Sequence, residues 1–175
     1  MGHFLGTHQG RLDAKGRVSV PAPFRAALRV ASEAGLSASR EAALAARDET
    51  VAMILRPSHQ RNCIEVWPAA AFHALAPSLA RYDIFSDTQD DLATALYSDA
   101  QELAADKEGR IVLPQSLLDH AGITDTMEFM GIGPIFQIWH PDAARARREA
   151  ARAAALSKRL TIPANGVAPN ATAPA

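Results

Sequence analysis

Apolar and polar residues alternate over Arg17-Val18-Ser19-Val20, and the alternation stops at Pro21. A period of two predicts a strand with Val18 and Val20 on one face and Arg17 and Ser19 on the other. Val20 precedes proline and is therefore held extended, while Pro21 suits the first turn of a helix. In that helix Phe24 and Leu28 fall at i, i+4 and share a face. The pattern returns at Arg110-Ile111-Val112-Leu113-Pro114, followed by Leu117, Leu118 and Ala121. Ahead of each strand an Asp is followed three residues later by Gly, in Asp13-Ala14-Lys15-Gly16 and Asp106-Lys107-Glu108-Gly109. The carboxylate can accept from backbone amides further along and glycine tolerates positive φ, so Asp13, Asp106 and Gly109 are read as structural turn residues. Asp, Gly, Arg and Pro recur at one offset of 93 residues. Internal duplication accounts for this.

The remaining pattern extends both copies. Phe4 to Leu12 and Tyr97 to Ala105, matched mainly through Phe4 and Tyr97, are read as strands entering the two turns, so that each copy begins as a β-hairpin. Val51 to Leu55 reads as a buried strand, Arg56 to His59 as a turn and Cys63 to Trp67 as a strand ended by Pro68. Copy two follows the same plan with Met127 to Ile132, a Gly133-Pro134 turn, and Phe136 to Trp139. Trp67 and Trp139 are 72 apart, so copy one carries about 21 extra residues, which fit in the Ala-rich stretch 30–48. That stretch suits a linker, although Ala42 to Arg47 also suits a helix.

Pro68 to Leu79, amphipathic through Phe72, Leu75 and Leu79, and Asp87 to Leu96, with an acidic first turn, are predicted helices. Asp142 is placed to cap a last helix, Ala143 to about Leu160, bearing Arg145, Arg147, Arg148, Arg152, Lys158 and Arg159. The expected organisation is therefore a first unit over 4–68, a helical bridge over 69–96, a second unit over 97–141, a basic helix over 142–160 and a disordered tail over 161–175. The class is α+β and β-rich.

Composition excludes several roles. No apolar run approaches the roughly 18 residues of a membrane span, and Met1-Gly2-His3-Phe4 lacks the features of a signal peptide, so the cytoplasm is expected. The single cysteine, Cys63, excludes an internal disulfide framework. A net charge of -1 argues against indiscriminate polyanion binding, but the charge is segregated. Residues 1–30 carry Arg11, Lys15, Arg17, Arg25 and Arg29 against Asp13 alone, whereas residues 81–109 carry eight acids against Arg81 and Lys107. His59, Cys63 and His73 hint at metal but lack a paired-ligand spacing. With no phosphate loop, nucleophile elbow or His-Glu-x-x-His motif, no catalytic residue, metal or cofactor is expected.

The doubled Asp-x-x-Gly-Arg-apolar-x-apolar-Pro, the Phe4-Leu5-Gly6 opening and the two strands ending in Trp67 and Trp139 resemble the MraZ family, bacterial transcriptional regulators with two AbrB-like (SpoVT-AbrB) units. The resemblance covers residues 4 to about 150. It implies a pseudo-twofold fold of intertwined, swapped-type β-hairpins and assembly into a ring-like homo-oligomer. It also implies nucleoid association, and repression through double-stranded DNA at short direct repeats upstream of the division and cell-wall gene cluster. Contact would run through Lys15, Gly16 and Arg17, with Lys107 and Arg110 as the second-copy candidates. No membrane or small-molecule substrate is implied. Glu108 stands in copy two where copy one has Lys15, and Asp99 where it has Gly6, so copy one is expected to carry more of the DNA contact and copy two more of the assembly surface. The rival class is an AbrB-type antitoxin or assembly protein that uses the hairpins for protein contacts. An antitoxin would have one hairpin unit and a toxin-wrapping tail, unlike this doubled chain.

Overall fold

The computed structural model describes residues 2–35, 52–83 and 85–161. The described residues up to Pro141 form one compact unit, and those from Asp142 a second. In the first unit, copy one supplies β1 (Thr7–Arg11), β2 (Arg17–Ser19), α1 (Ala22–Gly35), β3 (Ala52–Pro57) and β4 (Ile64–Pro68). The bridge supplies α2 (Ala69–His73), α3 (Ala76–Leu79) and α4 (Asp87–Tyr97). Copy two supplies β5 (Gln101–Ala104), β6 (Arg110–Val112), α5 (Gln115–Ala121), β7 (Thr126–Gly131) and β8 (Phe136–Trp139).

The strands form a six-stranded antiparallel sheet in the order β1-β7-β8-β4-β3-β5 and a separate two-stranded ribbon, β2-β6. Exchanging the copies reverses the sheet order onto itself, which is the pseudo-twofold relation of a duplicated fold. The expected hairpin is corrected in one respect. β1 does not pair with β2 across the Asp13 turn; β1 pairs with β7, with His8 opposite Phe129, and β2 pairs with β6, with Val18 opposite Ile111. In the other half β5 pairs with β3, with Leu103 opposite Met53. Each copy therefore completes its ladder with strands of the other.

Burial follows from this exchange. Val18 and Ile111 face inward from the ribbon, and Val20 and Leu113 follow them into a core shared by both copies. At its centre Phe4 and Phe24 of copy one meet Phe136 of copy two, with ring centroids 5.1 and 4.9 Å from that of Phe136. Such aromatic pairs contribute about 0.5–1.5 kcal/mol each beyond area burial. Leu28, Leu117, Met127 and Phe129 enclose them.

Local departures from the expected elements have identifiable causes. The helix expected over Pro68 to Leu79 is broken into α2 and α3, because Pro77 has no N–H and its ring would clash with the carbonyl of His73 in a continuous helix. Tyr97 closes α4 instead of opening a strand, and its ring packs edge-on against Phe72 at 5.3 Å. Ser86 caps α4 by accepting from Gln89 N–H, with Asp87 and Asp90 in the first turn. The helix after Pro21 continues to Gly35; the rest of the 30–48 stretch from residue 36, and the tail from 162, lie outside the described residues. The last helix, α6 (Pro141–Ser157), starts two residues earlier than expected, so Asp142 sits in its first turn, bonded by Arg145, rather than at its cap. Among the described residues no helix is long and apolar enough to cross a membrane.

Arg56 and Pro57, expected in a turn, belong to β3, and Arg56 is only 1% exposed. Its guanidinium is compensated by three partners: Nη2 donates to Glu65 Oε2 at 2.9 Å and lies 3.0 Å from His59 Nδ1, and Nη1 donates to the Ala95 carbonyl of α4 at 3.0 Å. Trp67 Nε1 donates to the same Glu65 oxygen. The pair therefore ties the bridge to the sheet. At the equivalent strand pairing, copy two places Met130 opposite Gln137, and Trp139 Nε1 donates to Gln137 Oε1 at 3.0 Å. One site is ionic and its twin is neutral. Arg56→Met should cost about 3–5 kcal/mol in urea unfolding at fixed protein concentration, because it strands the buried Glu65 carboxylate. Adding Glu65→Gln, which recreates the copy-two solution, should recover most of that loss.

Candidate nucleic-acid interface

Each turn is organised by its aspartate. Asp13 Oδ1 accepts from Lys15 N–H at 2.8 Å and Arg17 N–H at 2.9 Å, and Oδ2 accepts from Arg17 Nε at 2.8 Å. The backbone closes the loop through Asp13 N–H to the Arg17 carbonyl and Gly16 N–H to the Asp13 carbonyl. Gly16 has φ +70°, a conformation that side chains rarely adopt. Copy two repeats the arrangement: Asp106 Oδ1 accepts from Glu108 and Arg110 N–H groups, Oδ2 accepts from Arg110 Nε at 2.9 Å, and Gly109 has φ +77°.

The ribbon binds the two turns into one surface. Val20 N–H donates to the Gly109 carbonyl at 2.9 Å, and Leu113 N–H to the Gly16 carbonyl at 3.4 Å. The turns thus stand at opposite ends of the β2–β6 ribbon, roughly 14 Å apart at about 3.4 Å per residue. With Val18 and Ile111 buried, the outer face carries the cross-strand pairs Arg17–Val112 and Ser19–Arg110. Ser19 and Val112 are exposed, Val112 to 57%. The period of two already puts Ser19 on the face of Arg17; it puts Val112 on the face of Arg110 as well, but an apolar side chain in a strand carried no signal of contact.

The structure brings Lys15, Gly16, Arg17, Lys107 and Arg110 onto this surface but gives them different freedom. Lys15 and Lys107 are exposed. Arg17 and Arg110 are each held side-on by the turn aspartate, and Arg110 Nη2 also donates to Glu108 at 2.9 Å. Nη1 of Arg17 is left outside the carboxylate clasp. Such exposed pairs contribute little to stability but fix a guanidinium in direction.

The glycines differ too. A Cβ on Gly16 would meet nothing within 4 Å, whereas one on Gly109 would come within 2.5 Å of Arg25 Cδ. Arg25 of α1 therefore covers the second turn, a contact that no sequence pattern announced. The His59, Cys63 and His73 grouping does not form a ligand set: among the described residues no three His, Cys, Asp or Glu side chains could hold a metal. Cys63 is buried, and desolvation pushes its thiol up to about 12.

The Asp13 carboxyl is lowered to about 2, first by the Arg17 N–H and then by the Arg17 side chain; Asp106 is lowered likewise, led by the Arg110 N–H. Because the folded carboxyl ionises more readily than the unfolded one, the contribution of the turn is complete above about pH 4 and disappears as pH falls through about 2. The Asp13 carboxyl carbon should therefore titrate near pH 2 by NMR. In Arg17→Gln the midpoint should rise only part of the way to 3.8, since the backbone donors remain.

Comparison with known proteins agrees with this architecture. Residues 3–94 and 96–158 match the family model described as "MraZ protein, putative antitoxin-like". The chain is 54% identical over 166 residues to a protein of Gluconacetobacter diazotrophicus named transcriptional regulator MraZ, covering 95% of each chain. It is 53% identical over 155 residues to the protein of the same name from Gluconobacter oxydans, covering 89% of this chain and 86% of that one. With that from Azorhizobium caulinodans it shares 36% identity over 152 residues, or 87% and 86% of the two chains. The doubled turn, the exchanged strands and these matches over most of the length place the chain in the MraZ family.

Proposed function

We propose that the chain is a sequence-specific DNA-binding transcriptional regulator that represses genes from short direct repeats upstream of the division and cell-wall gene cluster. The carrying observation is the pair of aspartate-clasped Asp–Arg turns held in one hydrogen-bonded geometry at the two ends of a single ribbon, with Arg17, Ser19, Arg110 and Val112 on its outer face. A two-stranded ribbon fits the major groove, where an arginine contact to guanine is worth about 1–3 kcal/mol of discrimination and an apolar side chain can meet a thymine methyl. The clasp of Asp13 engages Nε and Nη2 of Arg17 and leaves Nη1 for a base contact, and Lys15 adds a phosphate contact that carries no sequence information.

One such surface has few cations. Protomers assembled as a ring-like homo-oligomer present several ribbons to one duplex, and each contact after the first forms at high effective concentration. Repeated operator elements match that geometry. We assign more of the DNA contact to the turn of copy one, where Lys15 stands in place of Glu108, and more of the assembly surface to copy two. The family name carried by the relatives supports regulation; the direct repeats, repression and nucleoid association rest on this reading of the family.

Anisotropy binding to the DNA upstream of the chain's own gene, against a shuffled duplex and across a salt series, tests the reading. Lys15→Gln should weaken both duplexes alike and flatten the salt slope by about 0.9. Arg17→Ala should remove the preference for the natural sequence. Equal binding to both duplexes by the wild type at every salt concentration would refute sequence-specific recognition, and would favour hairpins that serve protein contacts.

A further inference from the structure

Beside the second turn, α1 and the segment 105–109 enclose a cleft of about 240 Å³. Arg25, Arg29 and Lys107 line it, over a floor that includes Leu28 and Met53. Arg25 and Arg29 lie at i, i+4 and so share a face of α1, and Lys107 approaches from the turn. Asp106 is the sole acid among the lining residues, and its oxygens already accept from the Glu108 and Arg110 N–H groups and from Arg110 Nε. Three cations therefore face one cleft against a single committed carboxylate.

Two other cations of the first copy are committed to carboxylates. Arg11 pairs with Asp125 at 2.9 Å and Arg17 with Asp13 at 2.7 Å. Among the described residues Arg25, Arg29 and Lys107 pair with no carboxylate. Arg25 is fixed nonetheless: its stem lies over Gly109 and Nη1 donates to the Val20 carbonyl at 2.6 Å. A guanidinium held in place without a counter-ion is preorganised for an external anion, because less side-chain freedom is lost when one arrives.

The duplication supplies an internal control. At the 93-residue offset the positions of Arg25, Arg29 and Lys107 are occupied in the other copy by Leu118, Gly122 and Ala14, none of them charged. The shared structural features, Asp13 for Asp106 and Gly16 for Gly109, are retained in both. The fold does not require cations at these places, since the other copy has none at the same offset. All three have accumulated on one side.

We propose that this cleft is a phosphate-binding site, in which Arg25, Arg29 and Lys107 hold one phosphate group. The group comes either from the backbone of a bound duplex, which rests on the DNA-binding reading above, or from a free phosphorylated small molecule, which does not. A planar guanidinium offers paired N–H donors to phosphate oxygens, and Lys107 adds a point charge. As a duplex contact the site would give copy two an anchor on the phosphate backbone to complement the more exposed turn of copy one.

The double variant Arg29→Gln/Lys107→Gln spares Arg25 and its cover over Gly109, and is compared with wild-type full-length protein in two arms. The first is duplex binding across a salt series, where the variant should lose about 2 in salt slope and weaken natural and shuffled duplexes by the same factor. The second is titration with inorganic tripolyphosphate followed by NMR of the Arg25 and Arg29 side-chain Nε–H signals, with shifts expected in the wild type and lost at Arg25 in the variant. A reduced slope assigns a backbone phosphate. An unchanged slope with tripolyphosphate shifts confined to the wild type assigns a free phosphorylated ligand. Should the wild type bind no duplex, the DNA-binding reading falls and the tripolyphosphate arm alone decides the site. An unchanged or absent duplex response together with no tripolyphosphate shift at Arg25 or Arg29 overturns the proposal.

Discussion

The ribbon formed by Arg17–Ser19 and Arg110–Val112 is the constraint on which the rest of the molecule depends. Three residue pairs join segments 93 positions apart, and each strand continues directly into a turn at one end and a core helix at the other. Pairing them holds Phe24 of α1 and Leu117 of α5 in one core, and places the two aspartate turns at opposite ends of one surface. The flanking strands cannot fold back on their neighbours, because β1 is committed to β7 and β5 to β3. Neither copy alone has a complete ladder. Stability and the presented surface thus arise from the same long-range exchange, and a lesion in the ribbon should be felt in both.

Symmetry of backbone does not impose symmetry of chemistry. The two turns share an Asp–Arg clasp and a positive-φ glycine, yet Lys15 has Glu108 as its counterpart, and Gly16 is open where Gly109 is covered by Arg25. The strand pairs differ as well. Arg56 and Glu65 form a buried ion pair where Met130 and Gln137 form a neutral contact, and only the ionic version reaches a bridge helix, at the Ala95 carbonyl. Each copy has kept what the shared fold needs and diverged where a side chain meets solvent or the bridge.

Much of this plan was legible in residue order. The Asp–Gly turns, the inward faces of Val18 and Ile111 and the interruptions at Pro21 and Pro114 follow from local rules, and they held. Pairing partners did not follow, because a period of two says which face a side chain takes but not which strand lies alongside. Tyr97 misled for a related reason: a single aromatic match at the repeat offset could not outweigh the helix begun at Ser86. Arg56 was misplaced because an arginine beside proline reads as a turn, and only tertiary partners explain its burial. A charged Glu65 inside an otherwise apolar strand was the available hint that a buried cation lay opposite. At the interface, the turn residues were visible as a repeated motif and Ser19 as a neighbour of Arg17 on the polar face, whereas the place of Val112 opposite Arg17 and the cover of Arg25 emerged only from the register of the ribbon.

The central claim is that the β2–β6 ribbon and its two turns form the surface that meets DNA. Hydrogen–deuterium exchange of the full-length protein, with and without the duplex from upstream of its own gene, addresses that claim directly. Slowed exchange concentrated in residues 13–20 and 106–113, with residues 69–97 unchanged, is the predicted result. Protection confined to the bridge helices or to α6, with both turns exchanging as in the free protein, would contradict it.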